Sequence, residues 1–121
     1  MILITGGTGF VGKHLQEELT ARGIEHAVFS KRDYDLTVAA QAEAVFDRYR
    51  SAAVIVHLAS YQAAADFPTL HTAEQFFINN SIHMNVLECW RKFTPGAKLI
   101  AVGSSCAYPS RAVSLTEDVF L

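Results

Sequence analysis

The stretch from Met1 to Gly12 constrains this chain more than any other. Met1-Ile2-Leu3-Ile4-Thr5 is an apolar run of strand length, and it passes directly into Gly6-Gly7-Thr8-Gly9-Phe10-Val11-Gly12, from which a helical pattern departs. A helix that starts on such a turn presents N–H groups without intrahelical partners and the positive end of its macrodipole, so an anion is favoured there. Gly6 permits the tight turn, and Gly12 lets the helix lie close on the sheet. A glycine triplet alone also fits an ordinary turn. Its place between a buried strand and a helix makes Gly6, Thr8, Gly9, Phe10, Val11 and Gly12 candidates for holding a pyrophosphate.

The pattern continues as alternating helices and strands. Val11, Leu15 and Leu19 repeat at helical spacing, and Gly23 ends the helix. Ile24–Ser30 then reads as a second strand, and a strand, helix and strand of this length form a right-handed parallel unit. Thr37 is a plausible N-cap for a helix over about Val38 to Arg50, with Ala42, Val45, Phe46 and Tyr49 facing inward. Ala53–Ala59 is a continuous apolar run, as expected of a strand covered on both faces, and His57 within it reads as a satisfied core histidine. Ser60–Leu70 reads as a loop over the cofactor.

A long helix is expected from about Thr72 to Phe93, with Phe76, Phe77, Ile82, Val86, Leu87, Trp90 and Phe93 as its apolar stripe. Asn79, Asn80 and Asn85 interrupt it, and Asn80 is marked as a site candidate. Lys98–Gly103 is the final strand, and Ser104-Ser105-Cys106-Ala107-Tyr108-Pro109 leaves its carboxyl end, the edge where open α/β sheets bind ligands. The fold class is therefore α/β, a Rossmann-type doubly wound parallel sheet, truncated. Its expected strand order is 3-2-1-4-5, with the third strand short or missing around Tyr34.

The end of the second strand bears on the choice of cofactor. An NAD site places a carboxylate there for the ribose hydroxyls, whereas a 2′-phosphate calls for cations. The residues are Ser30, Lys31 and Arg32, with Asp33 only after the two bases. An ordinary solvated loop would look the same. The functional reading is NADP(H) in preference to NAD, with Arg32 as the phosphate or adenine partner.

At 121 residues, half of them apolar and 18% charged, the chain suits one domain, residues 1–121. A net charge of −2 supplies no basic footprint for nucleic acid and no polybasic stretch for a membrane surface. No apolar run reaches membrane-spanning length. Cys89 and Cys106 are the only cysteines, which makes no disulfide framework, and the five histidines are scattered, so no metal site is expected. These features together read as cytoplasmic.

Thr5 to Gly12, the Leu58-Ala59 strand end, Asn80 and Gly103-Ser104-Ser105-Cys106-Ala107-Tyr108-Pro109 together resemble the extended short-chain dehydrogenase/reductases that act on nucleotide sugars, and most of all the GDP-L-fucose synthase subfamily. The resemblance covers the whole chain, but only the N-terminal part of such an enzyme. It implies that Ser104 is the catalytic serine that hydrogen-bonds the substrate oxygen, and that Cys106 is an acid/base in epimerisation. It further implies that Arg32, Asp35 and Leu36 flank the adenine, that Leu58, Ala59 and Ser60 line the ribose and nicotinamide side, and that Gln62 replaces a lysine. The family's Tyr-x-x-x-Lys pair does not occur in these 121 residues. The expectation is an NADP(H)-binding part that is inactive alone, with a nucleotide-sugar substrate in the full-length enzyme. A non-catalytic sensor module and one half of a split enzyme are the alternatives. Because the expected last strand leaves an open edge, a homo-oligomer or a complementing chain is the expected partner.

Overall fold

A computed structural model describes residues 1–62, 70–104, 108 and 116. Seven elements alternate along them: β1 (Ile2–Thr5), α1 (Phe10–Ala21), β2 (His26–Val28), α2 (Ala39–Arg48), β3 (Val54–His57), α3 (Thr72–Phe93) and β4 (Lys98–Ala101). All strand pairs are parallel, in the order β2-β1-β3-β4. This is the doubly wound order without its outermost strand.

No third strand forms around Tyr34, because the chain turns as soon as β2 ends. The Asp33 and Tyr34 N–H groups both donate to the Ser30 carbonyl at 3.1 Å. From that turn the chain crosses back over β1, so α2 and α3 lie on the face opposite α1. The burial pattern agrees. Leu3 and Ile55 are neighbours in register and pack with Ala42, Val45 and Phe46 of α2 and with Ile82, Val86 and Cys89 of α3. Ile4, one residue on, points to the other face and is buried, as is Leu19 of α1. Each fully buried large apolar side chain in this layer contributes about 1.5–3 kcal/mol of transfer free energy.

Helix boundaries follow local chemistry with some corrections. Arg22 caps α1, and Gly23 follows at φ +66°, a left-handed conformation that suits glycine. Thr37 does not cap α2. Its hydroxyl and N–H both donate to the Asp35 carboxylate, and Val38 takes the N-cap position without a side-chain hydrogen bond. The α3 range is the expected one, but its apolar stripe is narrower: Ile82 and Val86 are buried, whereas Phe76, Phe77 and Leu87 are exposed. Phe76 and Phe77 lie near the start of the helix, beyond the reach of α2. Val11 is likewise exposed rather than laid on the sheet. Gly103 lies beyond the last strand, which ends at Ala101.

His57 is a core histidine, as expected, with hydrogen-bond contacts to Thr5 and His83. Cys89 is a packing residue: burial, and then the charge of Glu43, push its thiol up to about 11.

Candidate functional site

The glycine turn takes its shape from close packing. Gly6 has φ +71°, and a Cβ there would stand 2.6 Å from the Ala59 nitrogen; at Gly12 it would stand 2.5 Å from the Gly7 Cα. Both are contacts that no side chain can make without moving backbone. The turn is tied down by Gln16, whose Nε2 donates to the Gly7 carbonyl at 2.7 Å and the Gly12 carbonyl at 3.2 Å. Its N-cap, Gly9, is followed by a first helical turn without acidic side chains.

A cleft of about 510 Å³ runs along the carboxyl edge of the sheet over this turn. Gly6, Gly9, Phe10, Val11 and Gly12 form its middle; Phe29, Lys31, Tyr34, Asp35, Leu36 and Thr37 form the end beyond β2. Leu58, Ala59, Ser60, Tyr61 and Gln62, with Ile78 and Ile82 of α3, close the side beyond β3. A second pocket of about 350 Å³ shares Leu58 to Gln62 with the cleft and adds His57, Gln75, Asn79, His83, Val102, Gly103 and Ser104. The cleft over the glycine turn and the Ser104 pocket therefore adjoin at the 58–62 segment, which lines both.

Most of the candidates chosen from sequence line one or other of these two pockets, and some do not. Thr8 is exposed and outside the cleft lining. Arg32 is exposed too, and the cation on the cleft wall is its neighbour Lys31. Asn80 borders a separate shallow pocket with Thr72, Gln75, Phe76 and Asn79. Cys106 lies outside the described residues. Among those residues, no group of three His, Cys, Asp or Glu side chains is placed to hold a metal ion, and no helix is long and apolar enough to cross a membrane.

The two neighbouring asparagines have structural work that spacing could have revealed. Asn79 shares a helix face with Ile82 and Val86, at i+3 and i+7, so it points inward. Its Oδ1 accepts from the Tyr61 N–H at 2.7 Å and its Nδ2 donates to the Tyr61 carbonyl at 2.9 Å, which clamps the segment after β3. Asn85 donates to the Leu36 carbonyl at 2.8 Å and holds the cleft wall beyond β2.

The acidic groups beside Lys31 are already engaged. Asp33 accepts from the Ser30 hydroxyl at 2.7 Å and the Ser30 N–H at 2.9 Å, and these bonds hold its carboxyl below the usual carboxylate range. At Asp35 burial opposes ionisation. Hydrogen bonds from Thr37 and the Lys31 ammonium, 3.6 Å away, outweigh it and lower that carboxyl as well. This end of the cleft thus carries one cation, Lys31, which pairs with Asp35, and both of its carboxylates are already engaged.

A parallel sheet with a glycine turn at the carboxyl end of β1 and a cleft along that edge defines a nucleotide-binding α/β protein. Over residues 2–119 the sequence matches the NAD dependent epimerase/dehydratase family, and the chain belongs to it. It is 28% identical over 141 residues to dTDP-4-dehydro-6-deoxy-D-allose reductase of Streptomyces bikiniensis, a match that covers 97% of this chain and 42% of that protein. It is 30% identical over 124 residues to GDP-L-fucose synthase of Dictyostelium discoideum, covering 99% of this chain and 38% of that protein. Among solved structures, the GDP-L-fucose synthetase of Naegleria fowleri bound to NADP superposes with a TM-score of 0.81 at 28% identity, over 98% of this chain and 38% of that one. The chain thus spans about two fifths of the length of the curated relatives it matches.

Proposed function

We propose that the chain is the NADP(H)-binding part of a nucleotide-sugar epimerase/reductase that acts on a 4-keto sugar nucleotide. The observation that carries this reading is the pair of adjoining pockets: a cleft with Lys31 at one end and the glycine turn in the middle, and beside it, across the shared 58–62 segment, the pocket that Ser104 lines. The residues suit the cofactor. Gly9 has no side chain to block approach to the unpaired N–H groups of α1, no acidic group stands in that first turn, and Lys31 is placed for a 2′-phosphate. The NADP bound to the Naegleria relative supports the same choice.

Bound NADPH supplies a hydride at the nicotinamide. In this reading the chain's own residues bind and orient: the glycine turn holds the pyrophosphate, Leu58, Ala59 and Ser60 line the ribose side, and Ser104 hydrogen-bonds the oxygen at the reacting carbon. Cys106 moves the proton in epimerisation, a task suited to a thiol whose pKa is close enough to neutral to be tuned. The 121 residues hold no Tyr-x-x-x-Lys pair to protonate the oxygen as hydride arrives, so they bind without turning over.

Calorimetric titration of the chain with NADPH and NADH, followed by a turnover assay with a 4-keto sugar nucleotide, tests this. NADPH should bind about 10-fold or more tighter than NADH, the worth of a charge-assisted phosphate contact, and no product should form. Equal affinities would remove the NADP(H) assignment, and turnover would remove the claim that these residues bind the cofactor without turning over.

One observation favours the reading in which a second copy or a complementing chain completes the sheet. The outer edge of β4 is unpaired among the described residues, and Ile100 and Val102 beside it are 41% and 65% exposed. Light scattering across a concentration series tests it, and a monomer throughout would sink it.

A further inference from the structure

A line of hydrogen bonds runs from beneath the glycine turn to the pocket that contains Ser104. Thr5, at the carboxyl end of β1, accepts from the Ala59 N–H at 3.2 Å through Oγ1, and the same oxygen lies 2.6 Å from His57 Nδ1. His57 Nε2 lies 2.8 Å from His83 Nδ1. Thr5 and His57 are buried, whereas His83 is exposed and lines the pocket.

The direction of this line follows from donor and acceptor counting. An amide N–H only donates, so Thr5 Oγ1 accepts from Ala59 and keeps its own proton to give. The acceptor within reach is His57 Nδ1. Burial, and then His83, push His57 down to about 4, so its ring is neutral near pH 7 and carries one proton. With Nδ1 accepting, that proton sits on Nε2 and is donated to His83 Nδ1. A neutral His83 therefore carries its proton on Nε2. The opposite polarity would leave the buried Thr5 hydroxyl proton without an acceptor, at a cost comparable to a lost hydrogen bond.

The position of the pocket gives this donor a use. A dinucleotide with its adenosine end at Lys31 and its pyrophosphate on the glycine turn has its reacting end toward the segment after β3, which the pocket shares. Gln75 Oε1 on the pocket wall is buried and has no hydrogen-bond partner among the described residues. The exposed His83 ring is the group through which the buried pair beneath it reaches this pocket.

We propose that His83 presents Nε2–H as a fixed hydrogen-bond donor to an oxygen of the sugar-nucleotide substrate in the Ser104 pocket, its tautomer set by the buried Thr5–His57 pair. The assignment rests on the substrate class proposed above. His83 is then a substrate-orienting residue, and Thr5 and His57 are positioning residues that act through it.

Long-range 1H–15N spectra of the 121-residue chain with NADP+ bound, titrated with GDP-mannose as the probe, test the proposal. Both rings should show the Nε2–H tautomer, and GDP-mannose should shift His83 Nε2 together with the Ser104 amide. Thr5→Val should leave His57 and His83 as tautomer mixtures. His83→Asn keeps an acceptor for His57 but its amide N–H groups fall short of the Nε2 position, so it should weaken GDP-mannose about 10-fold while NADP+ affinity holds; His83→Gln, with an amide N–H nearer the Nε2 position, should recover most of that loss. An Nδ1–H tautomer at His83 overturns the proposal. So does a Ser104 amide that shifts while His83 Nε2 stays still and His83→Asn binds normally. If GDP-mannose moves neither signal, the substrate class falls and the proposal falls with it, while the NADP+ titration reports separately on the cofactor site.

Discussion

The two sides of the sheet are finished to different degrees. On the β2–β1 side Leu3, Ile4 and Phe29 are at most 7% exposed, with α1 over one face and α2 over the other. On the β4 side Ile100 and Val102 stand open, and the start of α3 exposes Phe76 and Phe77 at 71% and 72%. The anchoring side closes on itself because each strand there is followed by a helix that returns over it. On the α1 face no described helix covers Val56 and Ile100, which lie in register. Under the proposed function, the side that grips the cofactor is self-sufficient and the side that holds Ser104 presents apolar surface for contact.

Substitutions of matched size on the two sides are the strongest way to break that contrast. Phe46→Ala, in the fully buried layer beneath α2, should lower unfolding free energy by about 3–5 kcal/mol in urea titration. Phe77→Ser should change it by roughly 0.5 kcal/mol or less and raise solubility. Similar losses at both positions would mean that Phe77 is covered in solution.

Acid should destabilise the protein through His57. The folded state keeps this ring neutral down to about pH 4, while the unfolded chain takes up a proton near the ordinary value of 6.5, so protons favour unfolding across that window. The loss approaches roughly 3 kcal/mol at pH 4. Urea midpoints measured from pH 7 to pH 4.5 should fall steadily, and His57→Gln should flatten the slope relative to its own value at pH 7.

The adenosine end of the cleft sharpens the comparison at smaller scale. Lys31→Glu should weaken NADPH by roughly 10- to 100-fold with NADH little changed, because it reverses a charge on the cleft wall. Arg32→Glu, outside that wall, should cost only about 3-fold through screened attraction. The reverse ranking would return the phosphate contact to Arg32. Gln16→Leu, which unties the Gly7 and Gly12 carbonyls, should lower stability by about 1 kcal/mol and weaken both cofactors equally in parallel titrations.

Signals confined to a few neighbouring residues were legible without coordinates. The run from Met1 to Gly12 determined a strand, a turn and a helix, since positive φ and close backbone approach are demands that glycine meets locally. The unbroken Ala53–Ala59 run determined a buried parallel strand, and the breadth of the 72–93 pattern determined a long helix. Tertiary structure decided what depends on direction around an axis. It placed Lys31 rather than Arg32 on the cleft wall, turned Asn79 rather than Asn80 toward Tyr61, and left Phe76 and Phe77 outside the core. One step along a helix rotates a side chain by about 100°, and one step along a strand moves it to the other face. Composition cannot register that difference, and neither could it bring Thr5, His57 and His83 into one hydrogen-bonded line, which exists only because β1 and β3 lie side by side beneath α3.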